Sequence, residues 1–141
     1  MSETATLRQH VVTVLRMAAL GGIGVLVFVA LLGERSDYAG HFIAGYGGTL
    51  GLFALPLAML GAPLRREPLV LVIAAIAIGA GLEATIFRLA QFDPVDFFNQ
   101  SLGAALAGIA VLGRPRAVLP AAAAFVLALA FLSLGARLAF A

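Results

Sequence analysis

The sequence predicts an all-α integral membrane protein, a single bundle of five transmembrane helices. Three observations predict it. Of 141 residues, 62% are hydrophobic and only 11% are charged, with a mean hydropathy of +1.08. A soluble domain carries roughly half apolar and about a quarter charged residues. The apolar residues form continuous runs without strand-like alternation, and in lipid only helices and closed barrels satisfy their own backbone, so helix is expected. A spanning helix needs about 20 residues, so at most five crossings fit and the chain forms one domain.

Residues 1–10 are polar, and 11–32 make the first apolar run, broken only by Arg16. Arg8 and Arg16 resemble the basic flank of a signal peptide. No small-x-small cleavage site precedes the polar connection 33–37, so a retained helix is expected. The second run, 41–60, contains Pro56, which should kink or interrupt it. A turn with Pro63, Arg65 and Arg66 leads to the third run, 68–88, which is broken by Glu83. Gln91, Asp93 and Pro94 form a polar turn, with Asp93 a turn residue. The fourth run, 96–112, is the shortest and has polar residues in its first turn. A basic turn, 113–116, precedes the fifth run, 117–135.

There is no cysteine and no lysine; the nine positive charges are all arginine. This excludes disulfides, thiolate metal sites, iron–sulfur ligation, cysteine nucleophiles and Schiff-base chemistry. The net charge of +2 and pI near 9.9 do not point to nucleic acid, because the arginines lie at run ends, where they report topology. With the N-terminus in the cytoplasm, the inner segments hold Arg8, Arg16, Arg65, Arg66, Arg114 and Arg116. The outer segments hold Arg35, Arg88 and Arg137. The C-terminus is then outside, with most of the acids: Glu34, Asp37, Glu83, Asp93 and Asp96.

Many of the sixteen glycines lie inside the runs. Gly47 and Gly51 form a GxxxG step, Ala104 and Gly108 a small-xxx-small step, and Gly103 lies beside the latter. Small residues let helix backbones approach closely. Packing within the chain is the expected use, with a surface for another subunit as the alternative.

An ionisable group in a span costs roughly 2.5–3.5 kcal/mol on insertion scales. Glu83 is the clearest case, with Arg88 one to two turns later; His41 opens the second run; Asp96, Asn99 and Gln100 open the fourth. All share one depth band, the outer one, although they come from three helices. Each also has a structural alternative: His41 an interfacial residue, Glu83 a carboxyl paired with Arg88, Asp96 an N-cap. Tyr38 and Tyr46 suit interface anchors. A histidine with two carboxylates can hold a divalent ion, serve as a base or bind a polar headgroup. No spacing here is diagnostic of a metal, and none is expected. There is no GxSxG and no HExxH, so binding is expected ahead of catalysis. The two histidines, His10 and His41, fall at opposite membrane faces, about 30 Å apart, and do not ligate one haem; no cofactor is expected.

The residues from 41 to 108 carry a recognisable order. His41-Phe42-Ile43-Ala44-Gly45-Tyr46 opens a helix, Glu83 ends a later one, and Gln91-Phe92 lies in the loop. Asp96 opens the next helix, with the amide Gln100 four residues on and Gly103 three further. This order resembles the VanZ-like family of small bacterial membrane proteins. The chain departs from the family pattern at Ile86, where a glutamine is usual, and at Ala39-Gly40, which replace an Asp-Lys pair. The resemblance implies a bacterial inner-membrane protein with its polar cluster facing the cell envelope and the C-terminus in the periplasm. The best-known members confer low-level glycopeptide (teicoplanin) resistance. The expected function is binding of a lipid or lipid-linked headgroup by His41, Glu83, Arg88, Asp96, Asn99 and Gln100, with membrane lipids as partners. The alternative is a small accessory or scaffold subunit of a larger photosynthetic or respiratory membrane complex, with other membrane subunits as partners.

Overall fold

The computed structural model describes residues 3–33, 35–85 and 92–139. They form five helices: α1 (Glu3–Leu31), α2 (Ser36–Met59), α3 (Glu67–Thr85), α4 (Pro94–Val111) and α5 (Val118–Ala139). By length and composition, α1, α2, α3 and α5 are suited to cross a membrane. The 18-residue α4 is less apolar, because its first two turns carry Asp96, Asn99, Gln100 and Ser101.

The helix limits differ from the apolar runs in instructive ways. Helix α1 begins at Glu3, not near residue 11. Its 29 residues rise about 44 Å, more than the roughly 30 Å of hydrocarbon, so good helix formers such as Leu7, Arg8 and Gln9 continue it beyond the apolar stretch. Helix α2 begins at Ser36, which places His41 in its second turn, and it runs through Pro56 to end three residues later. Helix α5 continues to Ala139. Arg88, Gln91 and Glu34 lie outside the described residues.

Helix α2 is the axis of the bundle and packs against the other four. Its side chains Ile43, Tyr46, Leu50, Phe53 and Leu57 are fully buried, at alternating spacings of three and four that hold one helical stripe inward. The others surround it in the order α5, α1, α4, α3: α5 touches α1, α1 touches α4, and α4 touches α3. The horseshoe does not close, because α3 and α5 have no contact among the described residues.

Tyr46 departs from the expected interfacial position. It lies in the core, its hydroxyl donating to the Met17 carbonyl at 2.6 Å and its ring meeting Phe131 edge-on at 5.3 Å. A phenol buried among helices needs such an acceptor, and the bond ties α2 to α1.

The arginine-bearing end is held by its turns. Leu64 N–H donates to the Arg114 carbonyl and Gly113 N–H to the Leu64 carbonyl, so the α2–α3 and α4–α5 connections pair as a short antiparallel bridge. Gly113 has φ +70° just past the end of α4, the left-handed position at a helix C-terminus that glycine occupies without Cβ strain. Arg16, the charge that interrupts the first apolar run, donates to the Ile109 carbonyl at 2.6 Å, one of the last-turn carbonyls of α4 that has no helical partner. Buried Arg116 pairs with Glu67 at 2.9 Å.

Candidate functional site

The opposite end holds His41, Glu83 and Asp96. Their positions follow from chain direction: the N-terminal turns of α2 and α4 and the C-terminal turn of α3 lie at one end of an antiparallel bundle. Asp93, not Asp96, caps α4. Its side chain accepts from the Val95 and Asp96 backbone N–H groups, and Pro94 takes the first helical position. A proline there loses no helical hydrogen bond, which fixes the cap one residue before it. Asp96 is thereby left for tertiary contacts, and its Oδ2 lies 3.3 Å from His41 Nε2.

His41, Glu83, Asp96 and Gln100 line one cavity of about 690 Å³ in the gap between α3 and α5. Its floor is a face of α2 at helical spacing: His41, Ala44, Gly45, Gly48, Thr49 and Leu52. Ala75, Ile78, Gly79 and Leu82 of α3 form one wall, and Leu132, Gly135 and Ala136 of α5 the other. The Thr49 hydroxyl donates to the Gly45 carbonyl at 2.7 Å, so its one proton is spent within α2 and is not offered to the cavity. The lining is therefore apolar along most of its length and polar at one end.

The polar end is short of donors. Glu83 is only 7% exposed and makes no hydrogen bond or ion pair among the described residues. Asp96 Oδ1 is buried without a hydrogen-bond partner. A buried acceptor left unpaired costs about 1–3 kcal/mol, more when charged. No three His, Asp or Glu side chains among the described residues are grouped as a metal ion requires. Arg35, which is not among the residues lining the cavity, is engaged by Asp37 at 3.0 Å and stacks over Tyr38.

Asn99 is separated from this group. It is 6% exposed, its Nδ2 is buried without a partner, and it does not line the cavity. It lies on the face of α4 that continues to Gly103, which turns toward α2. Gln100 lies on the cavity face, its side-chain amide seated against the backbone of Gly79.

The glycines sort by neighbour. At Gly103 a Cβ would overlap the Phe42 carbonyl, and at Gly45 the Gln100 carbonyl, so these two positions set the α2–α4 crossing. Gly47 packs against Phe131 and Leu132 of α5, Gly51 lies near Ala128 with room to spare, and Gly108 packs against Val72 of α3. Sequence reasoning missed Gly45, Gly79 and the cavity floor. The available signal was the run of small residues that follows His41 at intervals of three and four.

No family model matches the chain, and no curated protein or solved structure is significantly similar to it.

Proposed function

We propose that this chain is a VanZ-like bacterial inner-membrane protein of five crossings that binds the headgroup of a lipid or lipid-linked molecule at an envelope-facing site. The site is His41, Asp96, Glu83 and Gln100. One observation carries the reading: these polar side chains stand at the end of an apolar cavity in a gap between two helices. A soluble ligand has no use for such a slot, whereas a lipid has both a polar and an apolar part to place. In this reading α4 is the fifth span, short because its polar first turns belong to the binding site. The excess of arginine at the opposite end supports a cytoplasmic location for that end and for the N-terminus.

The test is native mass spectrometry of the detergent-extracted protein. Wild type is expected to carry lipid, and Asp96→Asn to lose it by about tenfold, the effect of removing one charge-assisted contact. Arg35→Gln, outside the cavity lining, should retain it. Equal lipid retention in wild type and Asp96→Asn contradicts the assignment. Topology has its own check, since the chain has no native thiol. Gly33→Cys should react with an impermeant maleimide on spheroplasts, and Gly61→Cys only after lysis. The reverse pattern overturns the orientation.

A further inference from the structure

The two ends of the cavity differ in chemistry. That difference specifies the ligand that the headgroup reading leaves open, and the specification rests on that reading. At the polar end, two acids face one imidazole. Glu83 is 7% exposed and has no partner among the described residues, and Asp96 Oδ1 is buried and unpartnered while Oδ2 holds His41. No arginine lines the cavity among the described residues. Among the described residues the Gln100 amide and the His41 imidazole are the donors at this end and the carboxylate acceptors outnumber them, so the site favours a cation rich in donors and disfavours an anion. A primary ammonium brings three donors and forms charge-assisted bonds to carboxylates, whereas a quaternary ammonium brings none.

The other end suits a chain. From His41 to Leu52 the α2 floor runs about 16 Å, and beyond His41 it is made of small or apolar residues. A methylene fills about the space of a water molecule, ~30 Å³, so a cavity of about 690 Å³ has room for an acyl chain. Helices α3 and α5 do not meet along this length, so the slot faces sideways toward the bilayer.

We propose that the ligand is a lipid whose headgroup ends in a primary ammonium. The ammonium lies between Glu83 and Asp96, one acyl chain lies over Gly48, and the molecule slides in from the bilayer between α3 and α5. A Cβ at Gly48 meets nothing within 4 Å and Gly48 lines the cavity, so a side chain there starts into the slot without a Cβ clash.

The experiment places the full chain in phosphatidylcholine nanodiscs doped with equal minor fractions of phosphatidylethanolamine and phosphatidylglycerol, and weighs the retained lipid by native mass spectrometry. Phosphatidylethanolamine should be retained about tenfold over both others. Glu83→Gln and Asp96→Asn, which keep side-chain shape, should erase the preference. Gly48→Phe should abolish retention of all three. Retention of phosphatidylglycerol or phosphatidylcholine equal to that of phosphatidylethanolamine overturns the ammonium assignment. If Asp96→Asn still reduces what is bound, the headgroup reading survives that failure; if wild type and Asp96→Asn retain nothing alike, both fall. Should Gly48→Phe not fold, the isosteric pair decides alone: a preference unchanged in both variants overturns the proposal.

Discussion

The two ends of the bundle solve the same problem in opposite ways. At the arginine end, two connections hydrogen-bond to each other, Arg16 meets a last-turn carbonyl of α4, and Arg116 pairs with Glu67. Unpartnered atoms exist there too, the Nε atoms of Arg114 and Arg116, but the closure is made by backbone. At the acid end, α3 and α5 stand apart, and a carboxylate oxygen of Asp96 faces no donor. Polar residues in a membrane bundle are thus not all of one kind. Those that close turns stabilise the chain by itself, and those left unpaired beside a cavity are, in the proposed function, completed by a ligand.

The greatest loss should come from breaking the scaffold that both ends share. Gly103→Leu forces a side chain into the Phe42 carbonyl and should cost about 3 kcal/mol, or prevent folding, as read by thermal unfolding in detergent. Gly48→Leu, at an α2 position with open space, should leave the midpoint within experimental scatter. Equal losses at both positions contradict an α2–α4 crossing set by Gly103.

Next in size are one change in the core and one at the closed end. Tyr46→Phe removes the bond to the Met17 carbonyl and should cost about 1 kcal/mol. Gly113→Ala imposes a Cβ at φ +70° and should cost about 1 kcal/mol, while Gly61→Ala, in the facing connection, should cost nothing measurable. Denaturant-induced unfolding of the three variants in one micelle checks both.

The least change in stability belongs to the open side. Asp96→Asn and Glu83→Gln should leave unfolding nearly unchanged, even as lipid retention falls: Glu83 has no partner among the described residues, and an asparagine at 96 keeps an oxygen for His41 while relieving the unpartnered carboxylate oxygen. A destabilisation as large as that of Tyr46→Phe would make these residues structural and remove the contrast between the ends.

Much of this contrast was legible in the sequence. The order of the apolar runs puts residues 41, 83 and 96 at one end of any antiparallel bundle, and the five helices follow from the same runs. Pro94 also signals that Asp93 is the cap, a rule readable without coordinates but easily lost to the more prominent Asp96. The gap between α3 and α5 was not legible. Whether two apolar helices touch depends on which faces α2 and α4 present, and that is settled by close approaches at Gly45 and Gly103, not by hydropathy. For the same reason Tyr46, which suits an interface by composition, is buried: helix rotation, not residue type, carries it inward.

The proposed function stands or falls on a lipid occupying the slot above Gly48, held there by the acid end. Because the chain has no native cysteine, Gly48→Cys supplies a single thiol on the cavity floor. Its reaction with a bilayer-soluble maleimide, measured with and without added phosphatidylethanolamine in nanodiscs, reads that occupancy directly. Labelling should be slow with the lipid present, and several-fold faster when the lipid is omitted or when Asp96→Asn is combined with the thiol. Labelling at one rate in all three cases would contradict lipid occupancy of the slot.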